Sequence, residues 1–304
     1  MNKDNYTIID LGSNSFHMLT VCSVDNGFSI VDKNKQKVRL AAGLNDQQEL
    51  NQETMEIGWN CLKNFKAQLV KLSPRKVIIT ATAALRLAKN SQDFINKAED
   101  ILQHPIKLIS GIEEAKTIYQ GVVFTEQAKQ QLLVLDIGGA STEVIIGKGK
   151  HVQLAESLEM GCVTWLNRYF SDQLLNDDNF ETAINAAKEI ITPHKTTYDK
   201  LGWELVLGAS GTIQAMHEIN NHQQAAKTLT LELLHIIKQQ CIDCESINTL
   251  NIGGLKASRK PVFASGLAIL IALFESFEIN HLTLSKGALR EGLISQLFAE
   301  AGIY

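Results

Sequence analysis

Two segments of the chain end an apolar strand in an aspartate and pass at once into a glycine-containing turn, at Asp10 and at Asp136. Glycine lets the backbone approach a ligand closely, and consecutive N–H groups form a nest for phosphate oxygens. A carboxylate beside such a nest can hold Mg²⁺ directly or through water. The candidate phosphate-binding residues are Gly12, Ser13, Asn14 and Ser15 in the first turn and Gly138, Gly139, Ala140, Ser141 and Thr142 in the second.

A single turn of this kind is more often an ordinary hairpin than a ligand site. Two copies, each followed by hydroxyl or amide donors, favour a functional interpretation. A third turn, at residues 207–212, contains Gly208, Ser210 and Gly211, follows a predicted strand and opens a predicted helix. The N-terminus of such a helix suits an anion. A simple helix cap by Ser210 explains the same residues equally well, so both interpretations stay open.

The copies extend beyond the turns. The first copy predicts strands at residues 8–10, 16–24 and 28–32, with a reversal at 25–27, and the second predicts strands at 134–136, 144–146 and 152–154. This repetition predicts a duplicated α/β unit. Helices are predicted at 54–72, 83–89, 94–102, 113–124, 163–170, 180–191, from 211, at 229–242, 263–274 and 288–298, and further strands at 77–79, 106–109, 204–207 and 282–284. A hinge is predicted near residues 125–131.

Composition limits the range of partners. With 304 residues and 45% hydrophobic residues, the chain is expected to form two domains. A net charge of −4 gives no overall attraction to nucleic acid, so we expect no nucleic-acid partner, and any polyanion must meet locally placed Lys and Arg. The five cysteines form no disulfide framework, and no secretory signal is read at the start, so we expect a cytoplasmic protein. The apolar run 261–274 is shorter than a membrane span and is interpreted as a buried helix, with no membrane partner.

Four segments together resemble the exopolyphosphatase/guanosine pentaphosphate phosphohydrolase family, and the resemblance continues through residues 287–292, so that it covers nearly the whole chain. The segments are DLGSNSFHM at 10–18, SGIEEA at 110–115, DIGGASTE at 136–143 and GASGT at 208–212. The resemblance implies an α/β fold of two actin-like, ribonuclease H-like lobes with a cleft between them. It implies one lobe from residues 1–125 plus 288–304 and a second from 126–287.

Within the family, the sequence looks closer to the guanosine pentaphosphate branch, because Ala140 stands where exopolyphosphatases usually carry a third glycine. Residues 80–88 and 160–166 also look like that branch. Longer family members continue into a helical C-terminal region that this sequence is expected to lack, which leaves processivity on long polyphosphate open. The resemblance also implies a homodimer.

The resemblance assigns chemical roles. It implies that Glu114 is the base that activates water; because adjacent helical residues point about 100° apart, only one of the Glu113 and Glu114 pair can face the site. Asp136 and Glu143 resemble metal-binding and water-positioning carboxylates, with Asp10 facing them from the other lobe and Mg²⁺, or alternatively Mn²⁺, as the cofactor. The remaining cations are Arg86, whose guanidinium fork matches the oxygens of the transferred phosphoryl group, and Lys37, Arg39 and Arg259 for the rest of the anion. A cluster of such charges is more often a solvated surface, and that interpretation stays open for the last three.

The expected activity is hydrolysis of the terminal 5′-phosphate of guanosine pentaphosphate, of the terminal orthophosphate of inorganic polyphosphate, or of both, by in-line attack of water. Two alternatives remain: a small-molecule kinase of the same superfamily and a non-catalytic sensor of guanosine tetra- or pentaphosphate. His17 lies in an apolar strand and is interpreted as a core histidine rather than a ligand.

Overall fold

Two five-stranded mixed sheets with the same topology form the framework of the protein, which a computed structural model describes for residues 4–24, 27–45 and 47–302. In each sheet a three-stranded antiparallel meander is followed by two parallel strands, which confirms the predicted duplicated α/β unit and the two-lobed actin-like fold. The first sheet, in the order β3-β2-β1-β4-β5, contains β1 (Asn5–Leu11), β2 (Ser15–Val24), β3 (Gly27–Lys37), β4 (Lys76–Ala81) and β5 (Lys107–Leu108). The second, in the order β10-β9-β6-β7-β8, contains β6 (Gln131–Ile137), β7 (Thr142–Lys148), β8 (His151–Leu158), β9 (Leu205–Ala209) and β10 (Thr283–Leu284).

The helices lie close to their predicted positions. They are α1 (Gln52–Leu72), α2 (Ala83–Leu87), α3 (Ser91–Leu102), α4 (Gly111–Glu126), α5 (Cys162–Tyr169), α6 (Asp177–Leu201), α7 (Ser210–Gln223), α8 (Leu231–Ile242), α9 (Phe263–Phe277) and α10 (Leu289–Glu300). Helix α6 runs well past its predicted end because Tyr198 is buried and its hydroxyl donates a hydrogen bond to the Val144 carbonyl at 2.7 Å. Strand β3 is longer than predicted for a related reason, since it pairs with β2 along its whole length, and residues 25–26 of the predicted reversal lie outside the described residues.

Helix α9 forms the centre of the second lobe. Together with the short turn before it, α9 is long and apolar enough to cross a membrane by length and composition, but 78% of the window 260–277 is buried inside the protein. Every residue from Phe263 to Phe274 is buried, most of them against α5, α6 and the second sheet. The prediction of a buried core helix is therefore confirmed. All five cysteines are free thiols.

Helix α10 returns from the second sheet and packs closely on α4. At Gly292 an added Cβ would lie 1.9 Å from the Thr117 carbonyl oxygen, and at Gly121 it would lie 2.0 Å from the Ala288 carbonyl oxygen. The rings of Tyr6 on β1 and Phe298 on α10 meet edge to face, with 5.6 Å between centroids. The last helix thus packs with elements of the first lobe, while the exact domain boundaries stay a prediction.

Replacing Gly292 by alanine tests this helix crossing. Alanine favours a helix over glycine by up to about 1 kcal/mol, yet we expect Gly292→Ala to lower the free energy of unfolding by ~1–3 kcal/mol or more, because its methyl group has no room against α4. Urea unfolding measures this change. Ser295→Ala on the same helix, at a half-buried position, is the matched control. Equal stability of Gly292→Ala and wild type would contradict the close crossing.

Candidate active site

Five carboxylates from five different elements line one cavity of about 370 Å³ between the two sheets, and the fifth, Glu291 on α10, is held in a helix cap. Asp10 comes from β1, Glu114 from α4, Asp136 from β6 and Glu143 from β7. Burial, followed by repulsion from neighbouring carboxylates, raises the pKa of Asp136 to about 7, and burial raises the pKa of Asp10 to about 7 against the opposing charge of Arg290. Burial also holds the pKa of Glu114 and Glu143 above the usual range. A site with this charge attracts cations.

The duplicated turns hold the aspartates in equivalent places. An ideal Cβ on Gly12 would lie 2.9 Å from the Ser15 carbonyl oxygen, and one on Gly138 would lie 3.0 Å from the Ser141 carbonyl oxygen, so both glycines permit the same tight turn. Across each hairpin the aspartate faces a different partner: Asp10 pairs in register with His17, and Asp136 with Glu143.

The two turns meet at the base of the cleft. An added Cβ on Gly139 would lie 2.8 Å from the Ser13 Cβ and 3.1 Å from the Asn14 nitrogen, so the backbones of the two copies are in contact there. The Ser13 hydroxyl accepts a hydrogen bond from the Ala84 N–H at 3.0 Å, which ties the first turn to the start of α2. Both turns therefore line one cavity rather than two separate sites.

The third turn also reaches this cavity. Ser210 begins α7 in the left-handed region at φ 78°, an uncommon conformation for a residue with a side chain, and its buried hydroxyl has no hydrogen-bond partner among the described residues. No side chain caps α7, so the alternative interpretation of Ser210 as a simple helix cap is wrong. Gly211 lies against the guanidinium of Arg259, and both line the cavity. An unpaired hydroxyl at a helix N-terminus suits a phosphate oxygen.

Glu114 is oriented by its own helix. Ser110 and Glu113 form a capping box, in which the Ser110 hydroxyl accepts from the Glu113 N–H and the Glu113 carboxylate accepts from the Ser110 N–H at 2.8 Å. These hydrogen bonds, with Lys107, lower the pKa of Glu113 to about 2. Because Glu113 is used in the cap, its neighbour Glu114 turns inward, where it is 7% exposed.

Arg86 contacts Glu114 rather than the cavity. Its Nη1 donates to Glu114 Oε2 at 3.0 Å and to the Ile109 carbonyl at 3.1 Å. No other hydrogen bond to the Glu114 carboxylate arises from the described residues, so Oε1 is left for a ligand or water. Glu143, by contrast, accepts at Oε1 from the hydroxyls of Ser141 at 2.7 Å and Ser157 at 2.8 Å. The two glutamates thus have different surroundings in one cavity.

Most of the predicted site residues line the cavity, but six do not. The lining includes Asp10, Gly12, Ser13, Asn14, Ser15, Glu114, Asp136, Gly138, Gly139, Ser141, Glu143, Ser210, Gly211 and Arg259. Outside it are Arg86, Ala140, Thr142, Gly208, Lys37 and Arg39.

The reasons for these exceptions are local. The Ala140 side chain is buried in the core, the Thr142 hydroxyl donates to the Met160 carbonyl at 2.6 Å, and Gly208 packs against Ile213 and Leu282. The Lys37 ammonium donates to the Ser258 carbonyl. Arg39 is exposed just beyond the end of β3, where its backbone, rather than its side chain, bonds to Asn14.

Several cavity residues were not predicted, namely His17, Lys35, Thr82, Lys286 and Arg290. The interpretation of His17 as a core histidine is wrong: the ring is half-buried in the cavity wall, and its Nδ1 lies 3.3 Å from Arg290 Nη1. The alternation of β2 could have suggested this, since His17 lies in register with Asp10. Arg290 reaches the cavity only because α10 folds back over α4, which no local pattern indicates.

The carboxylates fit a hard cation. No group of three or more His, Cys, Asp and Glu side chains close enough to hold a metal by themselves occurs among the described residues. Mg²⁺, however, usually takes one or two carboxylates and completes its shell with water and phosphate oxygens. The buried Oδ1 of Asp10 has no hydrogen-bond partner within residues 4–24, 27–45 and 47–302. The raised pKa of Asp10 and of Asp136 shows that the surrounding cations do not fully balance the negative charge of these carboxylates. Asp10 and Asp136 therefore suit such an ion.

Comparison with known proteins identifies the family of this chain. The model of the Ppx/GppA phosphatase family matches residues 20–300. Similar solved structures include an exopolyphosphatase from Cytophaga hutchinsonii, 24% identical over 98% of each chain with a TM-score of 0.87. They also include the PPX-GPPA enzyme of Aquifex aeolicus, 22% identical over 96% of this chain and 99% of that chain with a TM-score of 0.78. The fold is shared throughout, and with a family match over most of its residues this chain belongs to the Ppx/GppA phosphatase family of phosphohydrolases.

Proposed function

We propose that the protein releases the terminal phosphate of a phosphoanhydride substrate, with Glu114 as the base that activates water. The observation that carries this proposal is that Asp10 and the buried carboxylates of Glu114, Asp136 and Glu143 converge with three glycine turns on one cavity. Glu114 is the suitable base because burial raises its pKa, so that the carboxylate takes a proton more readily, and because its Oε1 accepts no hydrogen bond from any residue that the structure describes. Arg86 fixes the other oxygen.

The remaining residues supply orientation and charge. Backbone N–H groups of the two duplicated turns bind the oxygens of the terminal phosphate, and the hydroxyls of Ser13, Ser141 and Ser210 add donors. Glu143, held by Ser141 and Ser157, orients the attacking water opposite the leaving oxygen. Asp10, Asp136 and Glu143 are the residues that would hold Mg²⁺, or Mn²⁺ in its place. When bound, the ion would neutralise charge on the phosphate oxygens.

The distal phosphates of the substrate lie toward the cationic end of the cavity. Lys35 and Arg259 line that end, and partial burial together with Arg259 and Arg290 lowers the pKa of Lys35 to about 8. A bound anion would relieve this crowding of positive charge. Both guanosine pentaphosphate and inorganic polyphosphate carry phosphates beyond the one removed. We propose guanosine pentaphosphate first, on the resemblance of residues 80–88 and 160–166, since Ala140 itself makes no contact with the cavity.

Phosphate release decides this proposal. We expect Mg²⁺-dependent release of orthophosphate from guanosine pentaphosphate, measured beside long polyphosphate and beside ATP mixed with common sugars. Faster release from polyphosphate would assign the other substrate. Phosphorylated sugar would show a kinase, and tight nucleotide binding without turnover would show a sensor; either result would refute the hydrolase.

A further inference from the structure

Arg290, in the first turn of α10, is the arginine that enters the cavity beside the carboxylates. It lines the same cavity as Asp10, Glu114 and Asp136 and is half-buried. Its positive charge acts on both aspartates, since it opposes the rise in the pKa of each. Its neighbour Glu291 also lines the cavity, but the Glu291 carboxylate accepts from the Ala288 N–H at 2.9 Å and caps the helix. On both helices a glutamate of the first turn is held in a cap, and its neighbour, Arg290 on α10 or Glu114 on α4, faces the cavity.

His17 holds the guanidinium. Arginine has donors and no acceptor, so the Nδ1 of His17, 3.3 Å from Arg290 Nη1, must be the unprotonated nitrogen of a neutral ring. Burial and the nearby charges of Arg290 and Lys35 lower the pKa of His17 to about 2, which keeps this acceptor available at any ordinary pH. His17 contacts Arg290 through a ring nitrogen and carries no charge that would compete for it.

Arg86 differs from Arg290 both in its position relative to the cavity and in its hydrogen-bond partners. Arg86 lies outside the cavity lining, and its Nη1 already donates to Glu114 and to the Ile109 carbonyl. Removing it would leave a buried carboxylate without its cation. Arg290 has no carboxylate within ion-pair distance among the described residues, although it shares a cavity with five carboxylates. A guanidinium in that position is available to the oxygens of an anionic ligand.

We propose that Arg290, held by neutral His17, is the catalytic arginine that contacts the phosphate group being hydrolysed, and that Arg86 is a positioning residue for Glu114. This proposal rests on the proposed hydrolase function and specifies which arginine contacts the phosphate group in that reaction. A fork of donors aimed at developing charge typically contributes a factor of about 10²–10³ to the rate. Arg290 occupies that position in the cavity, whereas Arg86 is the partner of the Glu114 carboxylate.

The test compares Arg290→Met with Arg86→Met. For Arg290→Met we expect kcat for phosphate release to fall by about 10²–10³ at every pH, with Arg290→Lys recovering only a small part, because an ammonium lacks the fork. For Arg86→Met we expect a loss at pH 7 that diminishes toward pH 9, because the unpaired Glu114 then ionises at higher pH. His17→Phe should lower kcat about tenfold, with partial rescue in His17→Asn, whose amide oxygen can accept from Arg290.

Arg75→Met serves as the matched control, since Arg75 is exposed and its one ion pair among the described residues is with Asp4 near the N-terminus. Thermal unfolding of each variant checks the fold. Calorimetry of inorganic triphosphate in EDTA gives a readout that does not depend on turnover, and we expect Arg290→Met to bind at least tenfold more weakly than Arg75→Met. A kcat within threefold of wild type, or a KM increase alone, would overturn the assignment. If wild type releases no phosphate at all, the hydrolase proposal fails, and calorimetry alone decides Arg290: equal affinities would overturn it.

Discussion

Glu114→Gln is expected to reduce kcat for phosphate release by about 10²–10⁴, the contribution typical of a general base, while substrate affinity stays within a few fold. Glutamine has nearly the same shape and can still accept a hydrogen bond from Arg86, but its amide cannot take a proton from water. Glu114 is 7% exposed, and among the described residues its carboxylate bonds to Arg86 alone, so the substitution changes little else. Initial rates over a range of substrate concentrations give kcat and KM separately.

The adjacent residue provides a close control. Glu113→Gln alters a carboxylate one position away on the same helix, and glutamine can replace glutamate in the capping box that Glu113 forms with Ser110. We expect kcat for Glu113→Gln within about threefold of wild type. A large loss of kcat in Glu113→Gln, together with an active Glu114→Gln, would make Glu113 the base and refute the assignment to Glu114.

Stability of the metal-free protein is expected to fall as pH rises, and Asp136→Asn should remove part of that fall. In the folded protein the pKa of Asp136 is raised from 3.8 to about 7 by burial and by the neighbouring carboxylates Glu114 and Asp10. Between those two values the folded state holds a proton that the unfolded state has released. The stabilisation is therefore complete below pH 3.8 and is lost as pH rises to 7, at up to ~1.4 kcal/mol per pH unit for this one group.

Urea unfolding in EDTA at pH 5, 6, 7 and 8 measures this effect. The slope of unfolding free energy against pH should be shallower in Asp136→Asn, by about 1 kcal/mol per pH unit between pH 5 and 7. Added Mg²⁺ should stabilise wild type more at pH 8 than at pH 6, because a hard cation binds the ionised carboxylates. Parallel slopes in the two proteins, or equal stabilisation by Mg²⁺ at both pH values, would contradict the uncompensated charge at this site.

The parts of the site that could be predicted are those encoded locally. Asp10 and Asp136 end apolar strands and precede glycine turns, and such a turn fixes both the carboxylate and the backbone within a few residues. The pair Glu113 and Glu114 follows Ser110 at capping-box spacing, so helix geometry alone requires one glutamate to face inward. The second sheet could also be predicted as a copy of the first, because the repeat lies in local strand and turn residues.

Other parts depend on tertiary contacts that no short pattern contains. Arg290 belongs to the site only because α10 crosses α4 where Gly121 and Gly292 leave no space between the helices. Thr142 lies within a turn motif, yet its hydroxyl points to Met160, because the strand alternates faces after the turn. The predicted end of α6 at residue 191 is wrong. The apolar pattern stops there and Pro193 follows, but the helix continues because the buried Tyr198 bonds to the Val144 carbonyl on β7.

The register of the two hairpins has a consequence for the direction of the substrate. The duplicated strands are alike in backbone, but one copy sets a neutral imidazole beside its aspartate and the other sets a second carboxylate there. With Lys35 and Arg290 near the first and Glu143 within the second, the cavity has an electrical polarity that the backbone symmetry lacks. A linear polyanion in such a polarised pocket would meet different charges at its two ends, so its two possible orientations would differ in energy. The repeated fold therefore surrounds a site that favours one orientation of such a ligand.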